Sequence, residues 1–155
     1  MIAAALAIAL HLLASVVWVG GMLVMLMAVR PAAVELLEPP LRLPLLCGAL
    51  KRFFVWVWLS LVVLLVTGLW MLFAVFGGFA NVGWHIHGML TLYLLMSGLF
   101  IFLYVSPFAL LKQALAEQQY PAAGKQMGRI RHIVTVNAAL GVLTVMIAGA
   151  GRYLV

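Results

Sequence analysis

Charge is scarce in this chain. Of its 155 residues only 8% are Asp, Glu, Lys or Arg, and just three are acidic, against roughly 25% charged residues in an ordinary soluble domain. With 68% hydrophobic residues and a mean hydropathy of +1.26, the composition excludes a soluble fold and implies an integral membrane protein. Cysteine is nearly absent too. Cys47 stands alone, so a disulfide within the chain and a thiolate metal cluster are both excluded, and the redox compartment cannot be read from cysteine. Nor is there a Ser/Gly/Pro-rich linker or a low-complexity tract, and 1–155 therefore reads as one transmembrane domain.

What the chain has in quantity is apolar runs. Four of them, about 2–29, 53–76, 84–111 and 130–149, meet the requirement of about 20 residues to cross a bilayer. Backbone groups in lipid must be satisfied internally, so each is expected to be a helix. The fold class that follows is all-α, an integral membrane four-helix bundle. The first run lacks a charged leading region and is too long for a signal-peptide core, so it is expected to be the first span.

The few charges have a pattern. Arg30, Arg42, Lys51 and Arg52 sit in the first connection and Lys112, Lys125, Arg129 and Arg131 in the third, whereas "GGFANVG" between the second and third spans carries none. The positive-inside rule makes the first and third connections cytoplasmic and puts both termini on the outer, periplasmic side of a bacterial-type inner membrane. The net charge of +6 is explained by topology, and no nucleic-acid partner is expected. Membrane lipid is the expected partner, and Lys125, Arg129 and Arg131 are open to lipid binding, to clamping a propionate or to fixing topology alone. "RPAAVELLEPPLRLPLL", with four prolines, is expected to be a structured loop or an amphipathic segment on the bilayer surface. "AGAGRYL" near the C-terminus offers small residues for close helix packing, between subunits in a homo-oligomer if one forms.

Histidines inside so apolar a chain are costly and mark candidate function. His11 lies roughly 15 Å along the first helix, and His87 roughly 9 Å along the third counted from Asn81, a candidate helix cap. His85 and His87, two apart in "GWHIHGML", point to nearly opposite sides of a helix, while His85 and Met89 share a face. His132 lies beside basic anchors and reads as interfacial.

Two neutral imidazoles on separate helices of a bundle suit axial ligation of haem iron. His11 is one expected ligand, His87 the preferred second, with His85 and Met89 behind it. Gly20, Gly21 and Gly68 would make room for the ring, and Trp18, Trp56, Trp58, Trp70 and Tyr93 are candidate lining. Copper competes as the cofactor, since Cu(I) favours thioether and imidazole donors. His85, His87, Met22, Met25, Met27 and Met89 supply both.

"LHLLASVVWVGGML", "TGLWML", "WHIHGMLTL" and "RIRHIVTVNAALG" together resemble the CopD-type copper-resistance membrane proteins and the related HemJ-type protoporphyrinogen oxidases. The HemJ branch implies a four-helix bundle holding haem b through a first-span histidine, matched by His11, and a third-span lysine, here replaced by Met89. The acidic residue that follows the fourth-span asparagine in those enzymes is here Ala138 after Asn137. The resemblance implies haem b with a methionine or histidine sixth ligand and a redox or haem-handling role, with a quinone or a redox protein as electron partner. The alternatives are copper binding or transport, and a HemJ-like oxidase. CopD proteins generally carry more than four spans, so copper translocation by this chain would call for oligomerisation.

Overall fold

The computed structural model describes residues 1–151, and the last part of "AGAGRYL", 152–155, lies outside the described residues. Among the described residues every regular element is helical: α1 (Ile2–Leu36), α2 (Pro39–Ala74), α3 (Trp84–Val105), α4 (Pro107–Ala116) and α5 (Tyr120–Ala150). Four stretches, α1, α2, α3 with α4, and α5, are each long and apolar enough to cross a membrane. The chain is a four-span membrane protein. α1 packs on α2, and α3 and α4 pack on α5, with α2 and α5 joining the two halves.

The helices run further than the apolar runs do. α2 begins fourteen residues before 53, at Pro39, because Pro39 and Pro40 occupy the first turn, where a missing N–H costs nothing. The proline-rich stretch is therefore helix on both sides of a two-residue break at Leu37 and Glu38. Proline also explains the division of the third span. Pro107 cannot continue the ladder of α3, so the helix ends at Val105 and α4 restarts with Pro107 in its first turn. α1 has two wider π-helical stretches, Val16–Gly20 and Met25–Val29.

Between α2 and α3 the chain reverses through Gly77 (φ 76°) and Gly78 (φ 107°). The Gly78 N–H donates to Leu72 O at 2.9 Å, closing the end of α2 as a glycine C-cap does. The start of α3 corrects the expectation for Asn81. Gly83 is the N-cap, and Asn81 sits in a 3₁₀ turn, where its Nδ2 donates back to Gly77 O at 3.2 Å.

The outside of the bundle is apolar, with Leu, Val, Ile, Trp and Phe side chains exposed on every long helix. That is the surface a lipid environment asks for. Inside, Phe54 is the hub of the core in the half nearer the basic connections. Its ring meets Phe108 at 4.8 Å, Phe100 at 5.4 Å and Tyr104 at 6.1 Å, all edge to face.

Candidate functional site

At the other end, near the start of α1, the end of α5 and the uncharged connection, the four helices enclose a cavity of about 420 Å³. Small-molecule sites typically measure about 300–1,000 Å³. Each wall follows helical periodicity. α1 contributes His11, Ser15 and Trp18, α2 contributes Gly68, Met71 and Leu72, α3 contributes Met89, Tyr93 and Met96, and α5 contributes Gly141, Thr144 and Ala148. Two of these sets, on α1 and α3, repeat at i, i+4, i+7, and the other two at i, i+3 and then i+4 or i+7, each one face of a helix.

His11 is held in one orientation. Its Nδ1 lies 2.8 Å from Thr67 Oγ1, and the Thr67 hydroxyl donates its own hydrogen to Val63 O at 2.6 Å. A hydroxyl has one hydrogen, so Thr67 accepts from His11, and Nδ1 carries the proton. Nε2 then keeps its lone pair and is the nitrogen free to act as a ligand. This is how a metal-binding imidazole is usually fixed, by a hydrogen bond from its other nitrogen. A Cβ at Gly68 would stand 3.3 Å from His11 Cε1, so the glycine lets the ring lie close against α2. Ser15 turns inward to its own helix, donating to His11 O at 2.9 Å.

The methionines are the other donors. Met89, Met71 and Met96 all line the cavity. Met96 is gripped by α5: Asn137 Nδ2 donates to its carbonyl at 3.2 Å, and Thr144 Oγ1 approaches its sulfur at 3.9 Å. Gly141 lies between those two residues, where a Cβ would come within 3.2 Å of the Met96 methyl and 2.8 Å of Val19 Cγ2. Asn137 is 3% exposed, and its Oδ1 has no hydrogen-bond partner. Trp18, 2% exposed, meets Tyr93 edge to face at 6.4 Å, and Tyr93 ties α3 to α2 by donating to Leu61 O at 3.0 Å.

Of the candidate residues, the fold brings His11, Trp18 and Met89 to this one cavity and leaves His85 and His87 off its lining. His87 is exposed and stacks on Phe79, with ring centroids 6.1 Å apart. His85 packs against Gly151 at the end of α5, where any Cβ would collide with it, and its buried Nδ1 has no partner. The 100° step per residue accounts for the split: His85 and Met89 turn inward and His87 outward. His132 is exposed on α5. Trp56, Trp58 and Trp70 are all exposed and off the cavity, Trp58 standing edge to face with Phe100 at 5.2 Å. Met22 is buried in the core and Met27 is exposed. Gly68 lines the cavity, whereas Gly21 accommodates the Phe53 ring. Sequence reasoning missed Thr67, Met71 and Met96. Met96 was within reach of it, lying seven residues after Met89 on the same helical face.

Among the described residues no three His, Cys, Asp or Glu side chains gather in a way that could hold a metal ion. The cavity instead offers one imidazole and several thioethers, all neutral. Soft donors of this kind suit Cu(I) and suit hard divalent cations poorly.

The fold and cavity define a multi-pass helical membrane protein with a soft-donor pocket between its spans. The chain belongs to the Copper resistance protein D (CopD) family, whose profile matches residues 47–150, more than half of its length. The match takes in Thr67, Met71, Met89, Met96 and the α5 residues that hold Met96, while His11 and Trp18 precede it. No curated protein and no solved structure matches the chain.

Proposed function

We propose that this protein handles copper in the membrane, taking Cu(I) as cargo into the cavity beside its uncharged connection. His11 Nε2 supplies the nitrogen ligand and Met89 and Met96 supply thioether sulfurs, with Met71 within the same lining. The observation that carries this reading is the His11–Thr67 hydrogen bond, which leaves an imidazole lone pair in a cavity otherwise rich in methionine. Family membership supports the choice of metal. Thioether and neutral imidazole add no charge, so a bound Cu(I) keeps its single positive charge, which suits a site that must also release its ion. Both termini and the cavity mouth face outward in this reading, as the basic connections on the other side imply.

A second reading, haem b, is favoured by the near absence of polar groups from the lining and by the glycines at 68, 141 and 149 beside Trp18 and Tyr93. His11 and Met89 would be the residues to hold it, since His85 and His87 do not line the cavity. The group would supply one-electron chemistry toward a quinone or a protein acceptor, and a methionine ligand would raise its potential. The HemJ-like oxidase is a special case of this reading, without that family's lysine.

One preparation separates the two. Detergent-purified protein is titrated anaerobically with Cu(I) against a chromophoric chelator, and its visible spectrum is recorded oxidised and reduced. Copper handling predicts one tightly bound Cu(I) that is weakened in Met96→Leu and His11→Ala, with no Soret band. A Soret band with sharp reduced α and β bands, lost in His11→Ala, would replace this reading with haem. Copper binding untouched by both variants would overturn the site.

A further inference from the structure

The basic end holds a second feature. Arg30 near the end of α1 and Arg131 in α5 line one narrow crevice, floored by Leu46 and Leu50 of α2 and by Met127 and Ile130 of α5. Arg42, in the second turn of α2, and Arg131 both lie close enough for their charges to act on Arg30, which is half-buried. Guanidinium groups keep their protons, so gathering them raises the energy of the folded chain unless an anion stands among them. No acidic side chain lines the crevice. Glu117 is engaged by Gln113 and Gln119, at 3.0 and 2.8 Å, and Glu35 and Glu38 are exposed.

An anion seated among these arginines would come from outside the chain, and the surroundings say what kind. Arginine forks match the paired oxygens of a phosphate. Beneath them a tightly packed apolar floor lies where three membrane spans meet, and the leaflet around those spans supplies such phosphates. We propose that this crevice binds the headgroup of an anionic phospholipid, its phosphate bridging Arg30 and Arg131 above the packed floor. A zwitterionic lipid would bring a cation toward the arginines with no carboxylate in the crevice to receive it. The site is separate from the copper cavity and stands without it.

Native mass spectrometry of the detergent-solubilised protein, incubated with equal amounts of phosphatidylglycerol and phosphatidylcholine, tests this. Wild-type protein should retain phosphatidylglycerol preferentially. The Arg30→Gln/Arg131→Gln variant should lose roughly thirtyfold in that retention, at the strength usual for two basic residues near anionic lipid. The Lys125→Gln/Arg129→Gln variant removes the same charge from exposed positions on α5 and should keep the adduct. Equal loss in both variants would reduce the effect to diffuse charge and overturn the site. Equal retention of the two lipids, or displacement of phosphatidylglycerol by inorganic phosphate, which then binds in its place, would overturn the lipid assignment. Should the glutamine pair fail to fold, Arg30→Lys/Arg131→Lys keeps the charge and loses the fork. Retention should still fall, and unchanged retention would contradict the proposal.

Discussion

The two ends of the bundle use the same four spans in opposite ways. At the basic end aromatic rings fill the space between helices, with Phe54 edge-on to each of Phe100, Tyr104 and Phe108 and with Leu111 and Ala123 wholly buried. At the end with the uncharged connection the helices present glycine, serine, threonine and methionine, and the interior opens into a cavity of about 420 Å³. Large rigid side chains hold the spans in register at one end. Small and flexible ones leave room for a guest at the other, where Trp18 and Tyr93 close the inner limit.

That division can be broken from either side. Phe54→Ala, at the centre of the packed half, should cost about 3–5 kcal/mol of stability, read by unfolding in mixed detergent, and Cu(I) affinity should fall only as far as the fold does. Thr67→Val does the reverse. The His11 ring loses its acceptor while the volume of the side chain is kept, and Cu(I) affinity should drop about 10–100-fold, with the unfolding midpoint nearly unchanged. A Thr67→Val protein that binds copper normally would detach His11 from the site.

Two neighbouring glycines sharpen the contrast further. Gly21→Ala drives a methyl into the Phe53 ring and should cost about 1–3 kcal/mol, whereas at Gly20 nothing lies within 4 Å of the new Cβ. Gly20→Ala should change stability by less than about 0.5 kcal/mol. Equal effects at the two positions would mean that α1 is rotated relative to this packing.

Much of the architecture was legible before any coordinates. Four apolar runs in a chain with three acidic residues point to spanning helices, and the seven-residue spacing of His11 and Trp18 puts them on one face of the first. The span limits were less legible, because hydropathy stops where the helix does not. Prolines 39, 40 and 107 begin helices, although in isolation they look like breakers. The partner of His11 was not legible at all. Choosing among His85, His87 and Met89 depends on the rotation of α3 against its neighbours, which no local pattern encodes, and the Thr67 hydroxyl sits 56 residues from the imidazole it orients. The grip of α5 on Met96, through Asn137, Gly141 and Thr144, likewise depends on interhelical register.

The central claim is that a nitrogen from His11 and sulfurs from the methionines meet at one metal ion in the half with the uncharged connection. X-ray absorption at the copper K edge on Cu(I)-loaded protein tests it most directly. The account predicts a mixed first shell of nitrogen and sulfur, with the nitrogen contribution lost in His11→Ala and the sulfur contribution reduced in Met96→Leu. A shell of nitrogen and oxygen without sulfur, unchanged in both variants, would place the copper elsewhere and contradict it.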